Sequence, residues 1–352
     1  MTEIICSWIR QATRFPWLRP VSRLVVGVGV LIGVIGYVGT GPVLRGILSL
    51  DGRTIGAALF LAAVATAAAA WRWRLIATRL GVTLRWSTAV GMYYQSQFLN
   101  TVLPGGIVGD VHRAVARGQS PEGIKQTARA VAIERTAGQV VQLAVALVVL
   151  ACFGAVFEGY LLAALAIGLG MIVVALVTAA ASVRGRRALL REARELRAGL
   201  GSVRASVTVA IASVIVVACH VATFTIATAA VGESVPPLRM LPLAFVILLG
   251  ASIPLNIGGW GPREGIAAWA FALAGFGASA GVAACTLFGV LTIISVAPGA
   301  IVTVLYAARQ RRASDAEPMM ESRFGPSDSP ARPDSPAAPI PVFTATNQGK
   351  TP

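Results

Sequence analysis

Long apolar blocks separated by short clusters of arginine make up this chain, and that alternation excludes most folds before any motif is read. The blocks at 54–70, 137–157, 161–182, 205–231 and 284–307 each have the length a helix needs to cross about 30 Å of hydrocarbon, with almost no charge inside. Two further runs, 240–257 and 266–281, read as spans, and 24–40 reads as a retained first helix, because no small-residue cleavage site follows it. Charged residues are 13% of the chain, half of the roughly 25% in soluble domains. A soluble enzyme and a disordered chain are both excluded. The expected fold is an all-α polytopic integral membrane protein.

The charge balance agrees. Thirty basic residues against fifteen acidic ones give +15, and all the basic residues but Lys125 and Lys350 are Arg. These Arg sit between apolar blocks, where the positive-inside rule and anionic headgroups account for them without nucleic acid. Trp71-Arg72-Trp73-Arg74 reads as an interfacial belt with snorkelling Arg. Cys6, Cys152, Cys219 and Cys285 show no metal or disulfide spacing and read as small packing residues. The basic linker 184–204 reads either as an interfacial helix, with Leu189, Ala193, Leu196 and Leu200 on one face, or as a solvated connector. The Pro-, Ser- and Ala-rich stretch 309–352 is expected to be a disordered tail behind a basic N-terminus (1–23) and a membrane domain (24–308).

One stretch, 87–104, is apolar but not an ordinary span, since it holds Gln95, Ser96, Gln97, Asn100 and Thr101 and ends in Pro104-Gly105-Gly106. Read as a re-entrant hairpin, it leaves the richest cationic segments on the cytoplasmic side and only Arg45, Arg53 and Arg239 outside. A full crossing would move both of the richest cationic stretches out. A comparable element recurs at 250–265. Each contains an Asn (Asn100, Asn256), a Pro and a Gly-Gly pair, then an acid beside an Arg: Gly105-Gly106 before Asp110 and Arg113, and Gly258-Gly259 before Gly261, Arg263 and Glu264. Broken helices in two halves of a membrane protein point to an internal repeat with a site at its interface. Freed backbone groups there need polar partners, and helix starts after such breaks suit phosphate. Glu134-Arg135, at the entrance to the 137–157 block, is a third polar feature, since charge within a membrane calls for a partner or a role. His220 reads as a hydrogen-bonded packing residue. No nucleophile motif, metal set or phosphate loop is present, so no enzyme activity and no cofactor are expected.

The series Asn100, Pro104-Gly105-Gly106, Gly109-Asp110 and Arg113, then Glu134-Arg135, then Gly258-Gly259, Gly261 and Arg263-Glu264 resembles the transmembrane domain of bacterial lysylphosphatidylglycerol synthases, over about 20–308. In many relatives the first motif is Gly-Gly-Asp, whereas Ile107-Val108 and Gly109 intervene here. The resemblance implies a bundle of about eight membrane segments with an internal repeat and one or two re-entrant elements, involved in moving lipid between leaflets. The soluble aminoacyl-transferring domain is not part of this sequence, so the transfer itself is not implied. On this reading Arg113, Arg135 and Arg263 engage an anionic headgroup. Asp110, Glu134 and Glu264 set their geometry or exchange protons, and Gly105, Gly106, Gly258, Gly259 and Gly261 allow close backbone approach. The partner is then a membrane lipid, probed at the inner (plasma) membrane with the N-terminus cytoplasmic. The rivals are a non-transporting partner that docks a lipid-modifying or glycosyl-transferring enzyme through the basic linker, and an embedded enzyme using Asp110 and Glu134. Whether 240–257 crosses or re-enters, which sets the side of the tail, stays open, as do cargo, energy source and oligomeric state.

Overall fold

A computed structural model describes residues 39–103, 108–115, 121–153, 196–252 and 261–323, with side chains as far as Leu305, and single residues between them. Among these, every regular element is a helix: α1 (Gly41–Leu48), α2 (Gly52–Arg79), α3 (Trp86–Val102), α4 (Val108–Val115), α5 (Pro121–Phe153), α6 (Val203–Ala230), α7 (Pro237–Ala251), α8 (Pro262–Leu273) and α9 (Ala278–Arg323). The chain divides into a compact unit, Met1–Leu305, and a second, Tyr306–Pro352, whose described part is the helical end of α9. The expected span 161–182 lies outside the described residues, as does 24–40 apart from Gly36, Gly39 and Thr40, and so do Leu189 and Ala193 of the basic linker.

Among the described residues, four helices are long and apolar enough to cross a membrane: α2, α5, α6 and α9. Their outward faces carry Phe60, Val148, Ile211 and Ile301, all more than half exposed, as lipid-facing side chains are. The polar starts of two of them are capped. Ser202 accepts from Ala205 N–H at 3.2 Å to open α6, and Asp51 accepts from Thr54 N–H at 2.8 Å to open α2. Hydrogen bonds from Thr54, its side chain first and then its backbone, hold the Asp51 carboxyl below its usual value. A depressed carboxylate stabilises the fold above its unfolded pKa, and the benefit is lost as pH falls through the lowered value. Asp51→Ala should therefore melt earlier than wild type at neutral pH in detergent, with the gap closing in acid. A gap that persists in acid would mean that the charge is not what caps α2.

Two helical pairs are shorter. The 17 residues of α3 reach about 26 Å and the 15 of α7 about 22 Å, both short of a hydrocarbon core of about 30 Å. Each packs against the short helix that follows it, α3 on α4 and α7 on α8. Both pairs close on a glycine. A Cβ on Gly109 would run into the backbone of Ser96, and one on Gly250 into the side chain of Ile266. The expected span 266–281 is not one helix. α8 ends at Leu273, and Gly275 and Gly277, both at positive φ, turn the chain into α9, with Phe276 N–H bonded back to Phe271 O at 2.9 Å.

Two cores form. One joins α2, α3 and the start of α5 around Trp73, Ile76, Tyr93 and Ile133. The other joins α6 to α9 around Phe224, whose ring meets Phe271 and Phe288 edge to face at 6.3 and 5.6 Å. The candidate site lies where these cores meet.

Candidate headgroup site

Glu134, on α5, has no exposed surface. Its Oε1 accepts from Arg72 Nε at 3.0 Å, from Arg72 Nη2, and from Tyr93 OH at 3.2 Å. Its Oε2 accepts from Arg113 Nη2 at 3.1 Å. A buried carboxylate with this many donors is held as an anion, since the alternative is two stranded guanidinium groups. Arg72 is fixed further by Ser213 Oγ, which accepts from its Nη1 at 2.8 Å, and by Gly138, where a Cβ would lie 2.8 Å from the same Nη1. Arg113 is clamped between Trp73 and Tyr93, with Cζ 4.6 and 4.5 Å from the ring centroids. Among the described residues its Nε and Nη1 have no hydrogen-bond partner, and the two rings are what the rest of the guanidinium meets.

Asp110 opens the short helix α4 and joins it to the rest. Its carboxylate accepts from Ser96 Oγ at 3.1 Å, Asn100 Nδ2 at 3.3 Å, Arg113 Nη2 at 3.0 Å and Arg135 Nη2 at 2.9 Å. Asn100 Oδ1 in turn accepts from Gly109 N–H at 2.8 Å, so one Asn of α3 meets both the acid and the backbone of α4. The absence of a side chain at Gly109 permits that approach. Gly109→Val should separate α3 from α4 and loosen Arg135 from Asp110, at a cost of about 1–3 kcal/mol as overpacking does elsewhere. An unchanged melting midpoint in detergent would refute the contact.

Three guanidinium groups (Arg72, Arg113, Arg135) thus share two carboxylates (Asp110, Glu134), leaving one surplus positive charge. Arg72 and Arg135 line a cavity of about 340 Å³ between the two cores, and among the described residues no carboxylate lines it. Uncharged polar groups complete the lining, chiefly Gln97, Gln139, Gln142 and His220. Arg113 is wholly buried, whereas the Arg135 side chain is 44% exposed. Gln142 Nε2 donates to Leu248 O at 3.3 Å and to Ser252 Oγ at 3.2 Å, so the end of α7 closes the side opposite α3.

The family model of the lysylphosphatidylglycerol synthase TM region matches residues 24–299. The chain belongs to this family. No curated protein and no solved structure matches it. With four helices able to cross a bilayer, this member of the synthase transmembrane family is a multi-pass membrane protein, and its membership ties it to membrane lipids.

Against the residues expected from sequence, Asn100, Asp110, Arg113, Glu134 and Arg135 come together in one cluster. Arg263 and Glu264 pair with each other instead. Glu264 Oε1 accepts from Arg263 Nη2 at 2.8 Å, and its Oε2 accepts from Gly261 N–H at 2.6 Å, which caps α8 behind Gly261 at φ 107°. Both side chains are buried, and Arg263 lies 5.3 Å from the Phe288 ring. Gly105, Gly106, Asn256, Gly258 and Gly259 lie outside the described residues. The interfacial reading of Arg72 and Trp73 is overturned: they are 5% and 0% exposed, because the Ala65–Ala69 stripe of α2 continues into them and carries both into the core. Trp71, on another face, stays 47% exposed. Arg72, Tyr93 and Ser213 in the charge cluster, and Gln139 and Gln142 in the cavity wall, are site residues that sequence reasoning missed.

Proposed function

We propose that this family member is a lipid translocase that takes the phosphate-bearing headgroup of an anionic lipid into the cavity between α3 and α7, and that it is a carrier rather than an enzyme. The observation carrying this reading is a cavity between helices long and apolar enough to span a membrane, lined by two Arg and, among the described residues, by no acid. In a medium of low dielectric such a lining attracts an anion strongly, and the planar guanidinium offers paired N–H groups to phosphate oxygens. A volume near the lower end of ligand pockets takes a headgroup and leaves the acyl chains in lipid.

The finer architecture follows from the same reading. The α3–α4 and α7–α8 pairs are the two re-entrant elements of an inverted repeat in a bundle of about eight segments, with the N-terminus and the arginine-rich connections on the cytoplasmic face of the inner membrane. Purified protein in vesicles should speed the exchange of fluorescent phosphatidylglycerol between leaflets well beyond that of phosphatidylcholine. If vesicles with and without protein exchange phosphatidylglycerol equally, the translocase reading fails and docking of a lipid-modifying enzyme takes its place.

A further inference from the structure

A second, smaller cavity of about 60 Å³ adjoins the first. The two share Ala65, Gln97 and His220 in their linings. Among the described residues no charged one lines the second cavity, yet it is far from apolar, with Thr66, Thr223, Thr292 and Ser295 among its walls.

The hydrogen bonds of these groups fix what they can offer. Thr223 Oγ1 donates its proton to Cys219 O at 2.8 Å, and Thr292 Oγ1 donates to Phe288 O at 2.8 Å. Thr66 Oγ1 donates to Gln97 Oε1 at 3.0 Å. The hydroxyl protons of these three threonines are committed, so what remains on each of their oxygens is a lone pair. His220 Nδ1 lies 2.7 Å from Val216 O, and a carbonyl can only accept, so the proton is on Nδ1. In the neutral ring Nε2 is then a bare acceptor. A chamber whose cations are Arg72 and Arg135 therefore leads into an annex where Thr223, Thr292 and His220 offer acceptors beside the Gln97 amide and the Ser295 hydroxyl.

We infer that the cargo is a phosphate lipid whose headgroup continues, beyond the phosphate, into an uncharged polyhydroxylated group such as a sugar or cyclitol, with Thr223, Thr292 and His220 as the residues that select for its hydroxyls. The inference rests on the reading of the larger cavity as a phosphate site. Phosphate oxygens are acceptors and meet Arg72 and Arg135; ligand O–H groups are donors and meet the annex. A headgroup ending in an ammonium also donates, but it would enter beside two guanidinium groups with no carboxylate among the described residues of either lining to balance it. A headgroup ending in a methyl leaves the annex acceptors unpaired, which is how a site built for hydroxyls rejects analogues that lack them.

Three short-chain lipids separate these cases: dihexanoyl phosphatidylinositol, phosphatidylmethanol and phosphatidylethanolamine, each titrated against the full-length protein in detergent and read by native mass spectrometry. Phosphatidylinositol should bind about tenfold or more tightly than either of the others, the worth of two or three neutral hydrogen bonds. Thr223→Val combined with Thr292→Val keeps side-chain shape and should bring phosphatidylinositol down to the level of phosphatidylmethanol. Equal wild-type binding of phosphatidylinositol and phosphatidylmethanol, both lost in Arg135→Ala, would overturn the hydroxyl selection and leave the phosphate site standing. Phosphatidylethanolamine binding as tightly as phosphatidylinositol would overturn the exclusion of ammonium. Binding of all three that ignores Arg135 would remove the phosphate site, and the inference with it. The wild-type comparison needs no variant to fold.

Discussion

Glu134→Ala will unfold far more readily than any surface variant of this protein, at a cost of about 3–5 kcal/mol. The carboxylate is fully buried and, among the described residues, is the only acidic partner within bonding distance of Arg72, while Arg113 divides its Nη2 between Glu134 and Asp110. Its removal strands Arg72 between Ser213 and a new void, and the energy lost is mostly that of an uncompensated buried cation rather than of the ion pair itself. That distinction is testable. Glu134→Leu together with Arg72→Leu removes the charge along with its partner and should recover a good part of the lost stability, a coupling that a double-mutant cycle on melting midpoints in detergent would measure. The recovered protein should still fail to exchange anionic lipid, because one of the two cavity cations is gone. Should Glu134→Ala melt within about 1 kcal/mol of wild type, the cluster would not be the buried, mutually dependent network described above.

Much of this network was legible in the sequence because charge in an apolar chain is conspicuous. Asp110, Arg113, Glu134 and Arg135 stand out against the hydrophobic blocks, and their partnership follows from the cost of leaving any of them alone. Arg72 was misread for a reason that is also physical. Trp71-Arg72-Trp73-Arg74 has the composition of an interfacial belt, but adjacent helical residues point about 100° apart, so one such run can serve two environments. Counting back from Arg72 by helical turns reaches Ala69 and Ala65, small residues on a packing face, and that stripe was the available signal. Ser213 had none, since a serine within an apolar helix usually bonds its own backbone, as this one also does with Val209 O at 2.7 Å. The break between α8 and α9 escaped a hydropathy reading because Ala274-Gly275-Phe276-Gly277 contains nothing polar; only the paired glycines betray it. Hydropathy reports where lipid can be, not where the backbone turns.

Arg135→Ala should abolish exchange of anionic lipid, with a drop of about tenfold or more, while leaving the protein folded. Both halves of that expectation come from the exposure of this side chain, which is 44% against 6% for Arg72 and 0% for Arg113. Arg72 and Arg113 hold Glu134, so their loss would confound binding with folding. Arg135 bonds Asp110 at 2.9 Å, and Asp110 keeps Ser96, Asn100 and Arg113 when Arg135 is gone. A half-exposed ion pair of this kind is worth about 1 kcal/mol or less, so the melting midpoint should scarcely move. In the cavity the same guanidinium is one of two cations, and a charge-assisted hydrogen bond to phosphate, about 1.5–3 kcal/mol, accounts for a tenfold effect or more. Arg135→Lys separates charge from geometry. A lysine keeps the charge but not the planar pair of donors, and exchange should fall to an intermediate rate. The comparison needs only vesicles of phosphatidylglycerol in phosphatidylcholine and matched amounts of folded protein. Anionic exchange at the wild-type rate in a folded Arg135→Ala protein would remove the cavity from the transport path and leave Arg135 as a brace for α4.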